Sequence, residues 1–405
     1  MSKLRTLDQA EISGKRVLVR VDLNVPMENG RVTDTTRIAR VLPTIREITQ
    51  RGGKAILLSH FGRPKGRDEK DSLRPLVKEV GEGLGRRVLF FDDCIGAGAR
   101  KAIAGLGNGE VLVLENTRFH TGEERNDAAF VHELAANGDI YVNDAFSAAH
   151  RAHASTEGLA RVMPAFAGRA MQAEIESLLA ALESPQRPVT AVVGGAKIST
   201  KLPILSNLIG KVNNLIVGGA MANTFLLAWG IDVGRSLVEP DLVCVARDIS
   251  KAAAQRGCDI VLPVDVVCAA RIERDVATTC CEVTRVPPYQ MILDIGPKTV
   301  ELFRGLLAGS RTLLWNGPLG AFETPPFDSG TSAVARTAGE LCAAHRLTAV
   351  AGGGDTVAAL SVAGAADRFT YVSTAGGAFL EWLEGKTLPG VAALMNRQDA
   401  DARAP

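Results

Sequence analysis

Cationic and amide side chains follow the short apolar runs in the first half of this chain, and glycines follow them in the second half. The first-half set begins with Asp22-Leu23-Asn24-Val25-Pro26 and Ser59-His60-Phe61-Gly62-Arg63-Pro64. It continues with Glu115-Asn116-Thr117-Arg118-Phe119-His120, Asn143-Asp144-Ala145-Phe146 and His150-Arg151-Ala152-His153. Arg37 falls in the first turn of the helical pattern after the first run. If these ends share one edge of a sheet, Arg37, His60, Arg63, Arg118 and Arg151 converge. Guanidinium forks bind carboxylate and phosphate bidentately, so such a cluster requires an anion. A small, multiply charged anion fits it, whereas a duplex would want a spread basic stripe. A single arginine at a helix start is more often a surface charge, and His120 and His132 are read that way.

The second-half set is Gly194-Gly195-Ala196-Lys197, Gly218-Gly219, Gly317-Pro318-Leu319-Gly320, Gly352-Gly353-Gly354-Asp355-Thr356 and Gly376-Gly377. Glycine permits positive φ and close backbone approach. A helix starting just after such a turn aims free N–H groups at phosphate. One such loop is a weak signal, because tight β–α turns also use glycine; the repetition points to a nucleotide. Neither G-x-x-x-x-G-K-[ST] nor a strand followed by G-x-G-x-x-G is present, so the site has another design. Lys197 and Lys201 are four residues apart and are expected to share a face at a helix start, as phosphate ligands. Asp355, next to bound phosphates, suits Mg²⁺, and a helix cap is compatible with that role.

The elements that must position these groups alternate between strand and helix. Strands are expected at Val17–Leu23, Ala55–Ser59, Val88–Phe91, Val111–Glu115 and Ile140–Asn143, then at Thr190–Val193, Asn214–Val217, Ile260–Val267, Met291–Ile295, Thr312–Trp315, Ala349–Ala351 and Tyr371–Ser373. Between the first two, Ile38, Val41, Leu42, Ile45 and Ile48 mark an amphipathic helix over Asp34–Arg51, with Pro43 inside it. Such alternation implies parallel sheets with helices on both faces. That many strands exceed one comfortable sheet. The fold class expected is therefore α/β, with two doubly wound, Rossmann-like parallel-sheet domains joined by a hinge helix. That helix covers Ala170–Leu182, with Met171, Ile175, Leu178, Leu179 and Leu182 on one face, and runs into the proline linker Ser184–Pro188.

The 405 residues carry a net charge of +1, with 46% apolar and 22% charged residues. Near-neutral charge gives no reason to expect nucleic acid. The 7 cysteines show no C-x-x-C spacing and are expected to be buried small hydrophobes in a reducing compartment. The polar N-terminus and the lack of a long apolar run lead to the expectation of a cytoplasmic protein without a membrane partner. The segment from Arg397 to Pro405 is polar and expected to be disordered.

Taken in order, these motifs, together with Arg20-Val21 before Asp22 and Trp315-Asn316-Gly317 through Glu323, resemble the phosphoglycerate kinase family over nearly the whole chain. The resemblance implies reversible phosphoryl transfer between 1,3-bisphosphoglycerate and ADP with Mg²⁺, in a monomeric enzyme of small-molecule substrates. It implies that Asp22, Asn24, Arg37, His60, Arg63, Arg118 and Arg151 bind 3-phosphoglycerate. It implies that Lys197, Lys201, Asn316, Glu323, Gly353, Gly354, Asp355 and Thr356 bind nucleotide, and that Asp355 holds the metal. Arg37, Lys201, Gly376 and Gly377 would act on the transferring group. The corresponding division is 1–170 for 3-phosphoglycerate, 171–188 as helix and linker, 189–385 for nucleotide, and 386–405 returning to the first domain. Two departures stand out: Ala375 where the family has a third glycine, and Phe379 where a small residue is common. Competing readings are a nicotinamide-dependent oxidoreductase, disfavoured by the missing G-x-G-x-x-G, and a non-catalytic binding protein, which would require lost site residues.

Overall fold

The computed structural model describes residues 4–28 and 30–395; the tail expected to be disordered lies outside them. The chain divides into two compact units, one running to Ile175 and resuming at Thr387, the other Glu176–Lys386. The division falls inside the helix Arg169–Leu182.

The first unit is built on a six-stranded parallel sheet in the order Leu89–Phe91, Val111–Leu114, Lys54–Leu58, Arg16–Arg20, Ile140–Asn143, Ala165–Ala167. Its central strands are apolar on both faces because helices cover both. The helix Thr36–Gln50 seats Ile38, Val41, Leu42, Ile45 and Ile48 in the core and continues through Pro43. Ala165–Ala167 was not anticipated, since a three-residue Ala-Phe-Ala strand offers no run or alternation to read. From Thr387 the chain packs in this unit: Gly390 N–H donates to Ala149 O (2.8 Å), and Leu388 and Leu394 are buried.

The second unit has its own six-stranded parallel sheet, Asp259–Val261, Asn214–Val217, Val189–Val193, Thr312–Asn316, Thr348–Gly352, Tyr371–Ser373. The expected strand Ile260–Val267 is in fact two, Asp259–Val261 and Asp265–Ala269. Pro263 lies between them, where it has no N–H to give to a ladder. Met291–Ile295, expected among the parallel strands, instead pairs antiparallel with Asp265–Ala269, and Thr279–Glu282 completes this small three-stranded sheet. A five-residue apolar run carries no information on pairing direction, which explains the difference.

Each large sheet has a point beside its first strand where the strand order reverses. The reversal lies between Arg16–Arg20 and Ile140–Asn143 in the first unit, and between Val189–Val193 and Thr312–Asn316 in the second. Crossovers leave that point in opposite directions and open a crevice beyond the carboxyl ends of the strands. Both motif sets follow the carboxyl ends of strands in these sheets; Asp22, Asn24 and Asn143 flank the first reversal, and Gly194 and Gly317 the second. In the second unit the two loops interlock so closely that a Cβ on Gly194 would stand 1.9 Å from Pro318 O. No side chain can occupy that space without moving backbone. None of the helices among the described residues is long and apolar enough to cross a membrane.

Candidate functional site

In the first unit, loops after successive strands are fastened to one another by polar groups. Arg37 Nη1 donates to Asp22 Oδ2 (3.0 Å) and to Asn24 O (2.8 Å). Asn24 Oδ1 accepts the Gly62 N–H (2.9 Å), which ties the first loop to the second. Asn116 extends the tie to a third: its Nδ2 donates to Phe61 O and Asp71 O, both at 2.8 Å. Arg118 Nη1 donates to Gly62 O (2.6 Å), and its Nε pairs with Glu124 (3.0 Å). Arg151 is half-buried; Arg63 is exposed. Burial, and after it the charges of Arg151 and Arg20, push the Arg118 pKa below its usual value against the opposing pull of Glu124.

His60 is not one of the cations. It is buried beside Arg20, whose Nη2 lies 2.9 Å from His60 Nδ1. Burial first, then Arg20, Arg118 and Arg151, hold its pKa well below the ordinary histidine value. A guanidinium only donates, so Nδ1 must accept and Nε2 carries the proton. The fifth charge is supplied by Arg20, buried at the end of its strand, which the sequence shows only as part of a motif. An arginine inside an apolar run was the available signal. Neighbouring His153 is likewise pushed down to about 4, mainly by burial and Arg118. We expect ¹⁵N NMR to find His60 neutral and Nε2-protonated between about pH 6 and pH 8. An imidazolium at pH 6 would contradict this assignment. His120 is paired with Asp93 (2.7 Å) and stacked on Phe130, more than the surface charge expected of it.

In the second unit the glycine turns leave room beside three helix starts. Gly219 (φ +65°) precedes Ala220–Ala228, and Gly353 (φ +101°) precedes Gly354–Val362. Gly376 and Gly377 open the helix Gly376–Leu383. Ala375 takes φ −94°, so this turn needs no third glycine. Phe379 is fully buried, its ring fitted against Gly352, where a Cβ would come within 2.7 Å. The family departure is thus accommodated by a glycine on the neighbouring strand.

Asn316 organises the centre. Its Oδ1 accepts from Lys201 Nζ (2.5 Å), and its Nδ2 donates to Gly352 O (2.7 Å). Thr356 Oγ1 accepts the Gly317 N–H (2.7 Å). Burial lowers the Lys201 pKa, against the opposing pull of Asp355 and Glu384. Lys197 and Lys201 do not share a helical face, because the helix begins only at Leu202. Pro203 accounts for this: proline is tolerated in a first turn, not deeper. Lys197 instead stands exposed in the preceding loop. Alongside lies a cavity whose walls include Leu226, Leu237, Ile272 and Leu293, and whose polar lining includes Glu323 and Asp355. Apolar walls beside backbone N–H groups suit a base and its phosphates. These wall residues were missed because they come from separate helices, loops and strands and share no motif. Asp294, also lining it, is pushed up to about 8 by burial, although Gly330 and Ile295 N–H groups bond it.

Of the cysteines, Cys94, Cys258, Cys268 and Cys342 are buried as expected, whereas Cys244 and Cys280 are exposed.

A family model described as phosphoglycerate kinase matches residues 7–386. The chain is 64% identical to the phosphoglycerate kinase of Azorhizobium caulinodans, over 97% of this chain and 100% of that protein. It is 62% identical to that of Xanthobacter flavus over the same shares. Among solved structures, phosphoglycerate kinase from Coxiella burnetii superposes with a TM-score of 0.91 at 40% identity, covering 97% of this chain and 99% of that one. The Pyrococcus horikoshii enzyme gives 0.80 at 32% identity, covering 99% and 100%.

Proposed function

The chain belongs to the phosphoglycerate kinase family and catalyses reversible phosphoryl transfer between 1,3-bisphosphoglycerate and ADP, giving 3-phosphoglycerate and ATP; from that premise we propose how its residues divide the work. Asp22, Asn24, Arg37, His60, Arg63, Arg118 and Arg151 hold 3-phosphoglycerate. Lys197, Lys201, Asn316, Glu323, Gly353, Gly354, Asp355 and Thr356 hold the nucleotide, Glu323 at the ribose. The observation that carries this division is that each set follows the carboxyl ends of the strands of its own parallel sheet.

Asp355 fits a hard cation: its carboxylate is exposed, in the first turn of a helix, and lines the same cavity as Glu323. Asp355 would hold Mg²⁺ together with the nucleotide, where the ion would neutralise phosphate charge. Phosphoryl transfer otherwise asks the protein for positioning and charge stabilisation. The acceptor is a carboxylate, already ionised when ATP is donor, so no general base is required and transfer is direct and in line. Arg37, Lys201 and the Gly376 and Gly377 N–H groups stabilise the equatorial oxygens in the transition state.

The ligand groups belong to different units, so the reacting atoms meet only if the units close, to about 3–3.5 Å between those atoms. Closure also excludes water that would hydrolyse the acyl phosphate. We assign the bending to the helix Arg169–Leu182 and the Ser184–Pro188 linker. Small-angle scattering tests this. The radius of gyration is expected to be smallest with 3-phosphoglycerate and a non-hydrolysable nucleotide together. An unchanged value in the ternary complex would count against closure.

A further inference from the structure

We infer that Glu123 and Ser155 are positioning residues for 3-phosphoglycerate: through a buried relay they orient Arg20, and through Arg20 they set the tautomer of His60. The inference rests on reading the arginine cluster as the 3-phosphoglycerate site.

Arg20 is 1% exposed. A guanidinium cannot shed its charge when buried, so its N–H groups must be matched and its charge balanced. Nε donates to Ser155 Oγ (2.8 Å), Nη1 to Val21 O (2.5 Å) and Nη2 to His60 Nδ1 (2.9 Å). Ser155 Oγ in turn donates to Glu123 Oε1 (2.5 Å), and the Ser155 N–H donates to Glu123 Oε2 (3.0 Å). A hydroxyl has one proton and two lone pairs. With its proton on the carboxylate, Ser155 offers a lone pair to the guanidinium, and the direction of the whole relay is determined.

Both relay residues are 0% exposed. Each Glu123 oxygen accepts from Ser155, so the hydrogen bonds of this carboxylate reach Arg20 through that neighbour, while its charge is also felt by Arg20 and Arg118 through space. The backbone is held as well: Tyr141 Oη donates to Ser155 O (2.7 Å), and the Ala154 N–H donates to Glu123 O (2.9 Å). Ser155 lies in a π-helical turn, Ala154–Gly158, just after Arg151 and His153. Such turns are uncommon and recur at functional sites. The adjacent Glu124 meets Arg118 directly (3.0 Å), so two consecutive glutamates serve two arginines of the cluster. Burial raises the Glu123 pKa, while Arg20, the Ser155 bonds and Arg118 oppose that rise.

The test uses the full chain with Ser155→Ala, which deletes the relay without adding bulk. The Kd for 3-phosphoglycerate is expected to rise about tenfold, a loss of about 1.4 kcal/mol, with the Kd for ADP unchanged. The ¹⁵N spectrum should show His60 losing its single Nε2–H form, a change that mere destabilisation would not produce. Combined with Arg20→Lys, Ser155→Ala should add little further loss, because both act through one group. Additive losses, or an unchanged His60 spectrum with unchanged 3-phosphoglycerate affinity, would overturn the inference. If Ser155→Ala does not fold, Glu123→Gln preserves the shape, and the same measurements decide. Arg63→Ala separates the two levels. Should it also leave 3-phosphoglycerate affinity intact, the reading of the cluster fails; should it alone weaken binding, only the relay does.

Discussion

Lys201→Ala is expected to lower kcat by about 10²–10³ while leaving the Kd for 3-phosphoglycerate unchanged. Lys201 is half-buried, with Nζ 2.5 Å from Asn316 Oδ1. Burial depresses its pKa, so the ammonium is poorly solvated and gains most when charge develops nearby. Interactions stronger in the transition state than in the ground state appear in kcat rather than in KM. Arg37→Ala belongs to the same class and should show a similar fall. It also releases Asp22 and Asn24 O, so some weakening of 3-phosphoglycerate binding should accompany it. Steady-state kinetics with both substrates varied is the measurement. A normal kcat with only a raised KM would reassign either residue to ground-state binding.

Arg63→Ala is expected to remove about 2–4 kcal/mol of 3-phosphoglycerate binding, with nucleotide affinity and thermal stability unchanged. Arg63 is exposed, and no protein group pairs with it among the described residues. Its loss therefore breaks no internal contact. Arg118 offers no such clean experiment, because its hydrogen bond to Gly62 O and its ion pair with Glu124 also brace the loop. Isothermal titration with each ligand separately is the check. A comparable loss of ADP affinity would sink the assignment.

Much of the fold was legible because both periodicities are strong here. The helix Thr36–Gln50 agrees within two residues of its expected span at each end, and most parallel strands are short apolar runs bounded by polar or glycine motifs. Where the signal is absent, the reading failed. Ala165–Ala167 has no pattern, and Met291–Ile295 looks like any buried strand although it pairs antiparallel. The helix start near Lys197 was misplaced because four-residue spacing outweighed Pro203, the stronger local constraint.

Residue types and their order already fix which chemistry is available: arginines and amides after one series of strands, glycines, lysines and an aspartate after the other. Their types and order follow from covalent structure, and parallel α/β construction puts strand ends on a common edge. Tertiary structure alone decided which groups carry charge and which carry geometry. His60 counts as a cation in any list of residues, yet burial against Arg20 makes it a neutral Nε2–H donor. Glu123 and Ser155 lie 32 residues apart and enter no motif together; only folding places them in one relay. Ala375 stands at an apparent defect that its φ of −94° dissolves, and Phe379 fits because Gly352 leaves it space. Protonation, tautomer and clearance depend on what surrounds a group in three dimensions, and that surrounding is contributed by segments distant in the chain.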